Sequence, residues 1–140
     1  MSLVSAPPDV SGLEIPIDAW TAPFWAAAAE HHLTVPRCGE CATFRWPAGP
    51  FCPSCQSQQV EWLPAGEPRL YSYTVVRPKT ADGSERAQVA ALVEFPDAGG
   101  VRLLAAVVDA PLDEVKIGRP LILDWITAAN AEVPVFKLTP

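Results

Sequence analysis

Hydrophobic and polar positions keep two different rhythms along this chain. From Leu70 onward they alternate with period two, the mark of strands with one buried face. Residues 70–76 (LYSYTVV) form the first such run, and residues 87–95, 101–108, 121–127 and about 133–138 follow it. Between them fall Ala81-Asp82-Gly83-Ser84, Pro96-Asp97-Ala98-Gly99-Gly100, Pro111-Leu112-Asp113 and Gly118-Arg119-Pro120, all rich in turn-forming residues. Five short strands with no helical pattern between them predict a small antiparallel barrel or sandwich, and a partly open OB-type barrel fits the count. Alternation would set Tyr71 and Tyr73 on one face of the first strand.

Upstream the rhythm is helical, between residues 13 and 33. Thr21 is the expected N-cap and Pro23 suits the first turn, with Phe24-Trp25 and the run Ala26-Ala27-Ala28-Ala29 behind them. Phe24, Ala28 and His32 share one side. Such a helix either packs on the core or offers its smooth alanine flank to a partner. Residues 1 to about 12 read as a mobile tail. The expected organisation is mainly β: a tail and helical segment over residues 1–36, a metal ribbon over 37–65, and the barrel over 66–140.

Composition narrows the class. Hydrophobic residues make up 49% and charged ones 19% of 140 residues, enough apolar material for a core and too little charge for a disordered chain. Sixteen prolines favour loops and short strands over long helices. Sixteen carboxylates stand against ten Lys plus Arg, for a net charge of −6, and this balance argues against a polyanion as the main partner. The first thirty residues lack a basic segment followed by an apolar run, and no stretch is long and apolar enough to span a bilayer. The expectation is a soluble, cytoplasmic protein with reduced thiols.

All four cysteines fall into two CxxC pairs, Cys38-Gly-Glu-Cys41 and Cys52-Pro-Ser-Cys55, ten residues apart. Each pair predicts a tight knuckle with two sulfurs on one side, and a short hairpin between the pairs would close them into a tetrahedron, as in a zinc ribbon. Four thiolates leave no open coordination position, so the expected Zn2+ is structural. Iron in the same four sulfurs, serving electron transfer, is the other metal the set accepts. Phe44, Trp46, Phe51 and Trp62 crowd this region. They either pack on the helix and barrel or face a protein partner.

No catalytic constellation accompanies the cysteines. His31 and His32 sit at the expected helix end, no phosphate loop or GxSxG elbow is present, and no cysteine remains as a nucleophile. Asp113, Glu114 and Asp109 read as turn or surface residues. The turn from Arg77 to Arg86 carries Arg77, Lys79 and Arg86 against Asp82 and Glu85. It is either a solvated hairpin tip or a contact for an anion such as a cofactor phosphate.

The order of parts completes the picture. Pro23-Phe24-Trp25 leads into the two CxxC pairs, then Glu61-Trp62 and the strand Tyr71–Val76. Val107-Val108-Asp109, Val115-Lys116-Ile117-Gly118-Arg119-Pro120 and the closing Val135-Phe136-Lys137-Leu138-Thr139-Pro140 follow. From about Asp18 onward this resembles the acyl-CoA-associated family built from a rubredoxin-like zinc ribbon and an OB-fold. The resemblance implies a non-catalytic accessory subunit of a thiolase-superfamily enzyme (a thiolase or aldolase) or of a MaoC-like enoyl-CoA hydratase, in lipid, steroid or polyketide-type metabolism. It implies a hetero-oligomer, with acyl-CoA contacted in the complex; the charge of the basic turn, rather than the resemblance, makes Arg77 and Lys79 the candidate contacts for the CoA phosphates. A fused hot-dog hydratase domain is missing, so hydratase activity of its own is not expected. The resemblance transfers no catalytic residue, only the ligands Cys38, Cys41, Cys52 and Cys55. The competing reading is a single-stranded nucleic-acid-binding OB module, with Tyr71 and Tyr73 as stacking rings.

Overall fold

A computed structural model describes residues 3–140. One short helix, α1 (Ala22–Ala28), precedes a two-stranded ribbon sheet of β1 (Thr34–Cys38) and β2 (Val60–Pro64). Five strands follow: β3 (Arg69–Val76), β4 (Gln88–Phe95), β5 (Val101–Val107), β6 (Leu121–Thr127) and β7 (Glu132–Leu138). The five-strand sheet has the order β3-β4-β5-β7-β6. All pairs are antiparallel except β5–β7, which run parallel and meet at Ala106↔Val135 and Val107↔Phe136.

The expected barrel is therefore OB-like and only partly closed. At one end β3 approaches the start of β6, where Leu70 N–H donates to Arg119 O (2.9 Å), Gly118 N–H to Leu70 O (2.7 Å) and Leu121 N–H to Pro68 O (3.1 Å). Period-two burial is clearest in β4, where Val89, Ala91 and Val93 turn inward with Phe95. Phe95 and Phe136 meet in the core with ring centroids 6.2 Å apart. Both are at most 1% exposed, a burial that stabilises by about 2–3 kcal/mol per ring.

The helix is much shorter than its pattern. Thr21 holds the N-cap position, but its hydroxyl makes no cap hydrogen bond. Asp18 shapes the start instead, accepting N–H bonds from Trp20 (2.9 Å) and Thr21 (2.8 Å) on one carboxylate oxygen. The end comes at His31, whose φ of 62° lies in the left-handed region and turns the chain out of the helix. The His31 ring stacks on Trp125 at 5.1 Å, and its Nε2 lies 2.8 Å from Glu132 Oε1, tying the helix end to β6 and β7. Phe24 and Ala28 are buried as their spacing predicts, with α1 packed on β1 and β7.

The expected mobile tail is instead pinned, apart from Met1 and Ser2, which lie outside the described residues. Ser5 is 1% exposed, exchanges backbone bonds with Ala110 and Asp109, and accepts the Ala110 N–H on its hydroxyl at 3.0 Å. Ala6 N–H donates to Ala87 O, and Asn130 clasps Ile15 through both amide atoms (2.7 and 2.8 Å). The segment thus crosses the barrel from the β5 end to the β6–β7 turn. Its backbone groups find partners far away in sequence, which no local pattern reveals.

Candidate metal centre and its surroundings

Cys38 ends β1, and Cys41 lies three residues on, past a turn in which Ala42 N–H bonds to Cys38 O (3.1 Å). The second pair repeats this geometry, with Gln56 N–H on Cys52 O (2.9 Å). In both knuckles the next residue adopts a left-handed backbone, Ala42 at φ 64° and Gln56 at φ 63°. The four Sγ atoms lie within 4.8 Å of one another, with Cys38–Cys55 at 3.6 Å and Cys41–Cys52 at 3.5 Å. A tetrahedron with metal–sulfur bonds of about 2.3 Å has edges of about 3.8 Å, so the donor set fits a zinc ion.

Electrostatics favour a cation there. The Cys38 thiol is held below its usual range by the N–H groups of Cys41 and Glu40, and Cys52 falls to about 6 through those of Cys55 and Ser54. Cys55 goes the other way. The Ser57 N–H favours its thiolate, yet Cys41, burial, Cys38 and Cys52 together outweigh that bond and push it up to about 12. Four sulfurs this close cannot all ionise unless a positive ion joins them.

The ring-bearing side chains divide. Phe44, Trp46 and Trp62 pack against the main core, with Phe24 and Trp46 centroids 5.1 Å apart, whereas Phe51 stays 58% exposed. Gly99, at φ 67°, lets Phe44 seat on the barrel, because a Cβ there would stand 3.0 Å from Phe44 Cδ2. Ribbon and barrel are thus in direct contact.

Tyr71 and Tyr73 do not share a face. A bulge between Leu70 and Ser72 inserts one residue into β3, so Tyr71 is exposed while Tyr73 packs against the core opposite Ala91. The outward Tyr71 ring is covered by Arg102, so the pair forms no two-ring stacking platform. Arg77 and Lys79 are both exposed on the β3–β4 hairpin, Lys79 in an isolated bridge with Glu85. Arg86 faces elsewhere, donating to Pro7 O at 3.0 Å. Asp109, read as a turn former, also meets Lys137, which lies 3.4 Å from it and 2.9 Å from Asp124.

Sequence reasoning missed one apolar surface. Leu104 on β5 is 71% exposed between a groove of about 260 Å³, which includes Trp25 and Trp46, and one of about 180 Å³. Pro8 of the N-terminal segment lines both grooves. The outward positions of β5 carried the signal, since Leu104 and Ala106 are apolar where polar residues would suit solvent. Among the described residues no helix is long and apolar enough to cross a membrane.

Comparison with known proteins agrees with this architecture. Residues 25–61 match the family model "ChsH2, rubredoxin-like zinc ribbon domain", and residues 64–125 match "ChsH2, C-terminal OB-fold domain". A probable enoyl-CoA hydratase alpha subunit of Thermomonospora curvata is 38% identical over 117 residues, covering 81% of this chain. The chain spans 36% of that relative's length. A chain of the solved Ltp2-ChsH2(DUF35) aldolase superposes with a TM-score of 0.78 at 35% identity, over 89% of this chain and 98% of that one. A DUF35 protein of unknown function from Sulfolobus solfataricus shares the fold, with a TM-score of 0.65 at 19% identity over 88% of this chain and 85% of its own. The chain belongs to the ChsH2 (DUF35) family, a zinc ribbon joined to an OB-fold.

Proposed function

We propose that this chain is a non-catalytic subunit of a hetero-oligomeric acyl-CoA enzyme, kept in shape by one zinc ion on Cys38, Cys41, Cys52 and Cys55. The observation that carries the reading is the likeness to the Ltp2-ChsH2(DUF35) aldolase chain, whose name joins a protein of this architecture to an aldolase. The hydratase subunit from T. curvata supports the same role with a different chemistry. Bound zinc would supply rigidity rather than reactivity, since four thiolates fill its coordination sphere. The natural partner is thus a thiolase-superfamily or MaoC-like enzyme of lipid, steroid or polyketide-type metabolism, working in the cytoplasm. The apolar surface around Leu104 is the strongest candidate for its contact. Arg77 and Lys79 are the candidate contacts for the CoA phosphates.

Affinity purification of the tagged chain from its native host, with mass spectrometry of what co-purifies, tests the reading. A thiolase-like or hydratase-like enzyme recovered in near-equal amount is expected. Recovery of nucleic acid or of no enzyme, or a partner that is fully soluble and active alone, would overturn it.

A further inference from the structure

Arg45 is a buried cation with no carboxylate in ion-pair reach among the described residues. It is 6% exposed, its Nε has no acceptor, and Nη1 makes one long bond of 3.5 Å to Ser57 O. Arg37, Arg69 and Arg102 differ: each meets a carboxylate and stands more open to solvent. A guanidinium does not shed its charge in a protein, so its burial without an anion is costly and an anion bound beside it would offset that cost.

Arg45 lines a niche of about 130 Å³ between the segment ahead of α1 and the ribbon sheet. Trp20, Pro23, Pro36, Val60 and Trp62 form its other main walls. Trp20 remains 40% exposed at this site, although it is a large apolar ring. The walls are apolar and the charge is single. That combination suits a carboxylate carried on a short apolar stem, paired with the charge rather than gripped by a two-pronged fork, since Nε is enclosed by protein and Nη1 already bonds Ser57 O. Phosphate fits poorly, because most of its oxygens would lose water without finding donors.

We infer that this niche binds a carboxylate on a short apolar stem, with Arg45 as its anchor and Trp20 and Trp62 as its flanks. A small free acid and a glutamate side chain of a bound polypeptide share that chemistry. The zinc-loaded full chain is titrated with propionate, capped glutamate, propionamide and inorganic phosphate, following the Arg45 Nε–H and the Trp20 and Trp62 indole N–H signals by NMR. Propionate is expected to give saturable shifts at all three sites, with propionamide and phosphate at least about tenfold weaker. Capped glutamate binding as well as propionate assigns a polypeptide source, and binding by propionate alone assigns a free acid. Arg45→Met is expected to remove the response while leaving the remaining spectrum folded. Shifts that do not saturate, that propionamide reproduces, or that persist in Arg45→Met overturn the site. So does an unresponsive Arg45 whose replacement by Met speeds zinc release to a chelator about tenfold, since the guanidinium would then balance the thiolates instead.

Discussion

The guanidinium carbon of Arg102 lies 3.6 Å from the centroid of the Tyr71 ring. The contact exists because the bulge in β3 turns Tyr71 outward, toward the side chain that β5 presents two strands away. Arg102 also ends a cross-strand row, Arg69–Glu94–Arg102, in which the 7%-exposed Glu94 accepts bonds from both arginines. Three strands are thereby fastened on their outer face.

The Arg69 hydrogen bond, with that of Arg102 behind it, holds the Glu94 carboxyl below its ordinary range. A depressed folded-state pKa stabilises above the unfolded carboxylate value, and that contribution is lost as pH falls through the folded one. Glu94→Gln is therefore expected to lower Tm by a few degrees at pH 7, the difference from wild type shrinking below about pH 4. Thermal melts across pH 2.5–7.5 read this, and a difference independent of pH would refute it.

Metal assay of the purified chain is expected to find about one zinc per molecule and no visible colour. Chelation or Cys52→Ser should lower Tm by roughly 10 °C or more and change the emission of Trp46 and Trp62, which belong to the ribbon. Acid should release the ion as protons compete for the thiolates. An unchanged Tm after complete metal removal would rule out a structural role.

Asn130 donates to and accepts from the backbone of Ile15. Asn130→Ala should cost about 1 kcal/mol and speed proteolysis or amide exchange over residues 7–17, leaving the ribbon unaffected. Protection retained in that segment would show that its other contacts suffice.

Replacing Arg77 and Lys79 together by alanine should raise the acyl-CoA KM of the assembled complex by about tenfold without dissociating it. An unchanged KM would discard these residues as phosphate contacts.

Legibility followed the range of the forces involved. The five barrel strands were readable because one buried face imposes period two on nearby residues, and the convergence of the four cysteines was readable because a knuckle is local. β1 and β2 were not: they are five residues each, carry Pro36 and Pro64, and show little alternation. The pinned N-terminal segment escaped because Ser5 and Ile15 bond to Ala110 and Asn130, far along the chain. The bulge at Tyr71 and the parallel β5–β7 pairing escaped because each depends on a neighbouring strand rather than on its own sequence. Arg45 carried no signal in the sequence, since its lack of a carboxylate partner becomes visible only once burial is known.

The two-rung join between β5 and β7 divides the barrel in a way its outline conceals. β3, β4 and β5 form a meander and β6 and β7 a hairpin, each sewn together by near neighbours in sequence. Low-contact-order pieces of this kind assemble quickly, while a join across a long loop waits for them. The Ala106–Val135 and Val107–Phe136 rungs, with the Leu70–Arg119 and Leu70–Gly118 bonds at the other edge, are then the barrel's last stitches to close and its first to open, and their amides should exchange through a cheaper opening than those inside either piece.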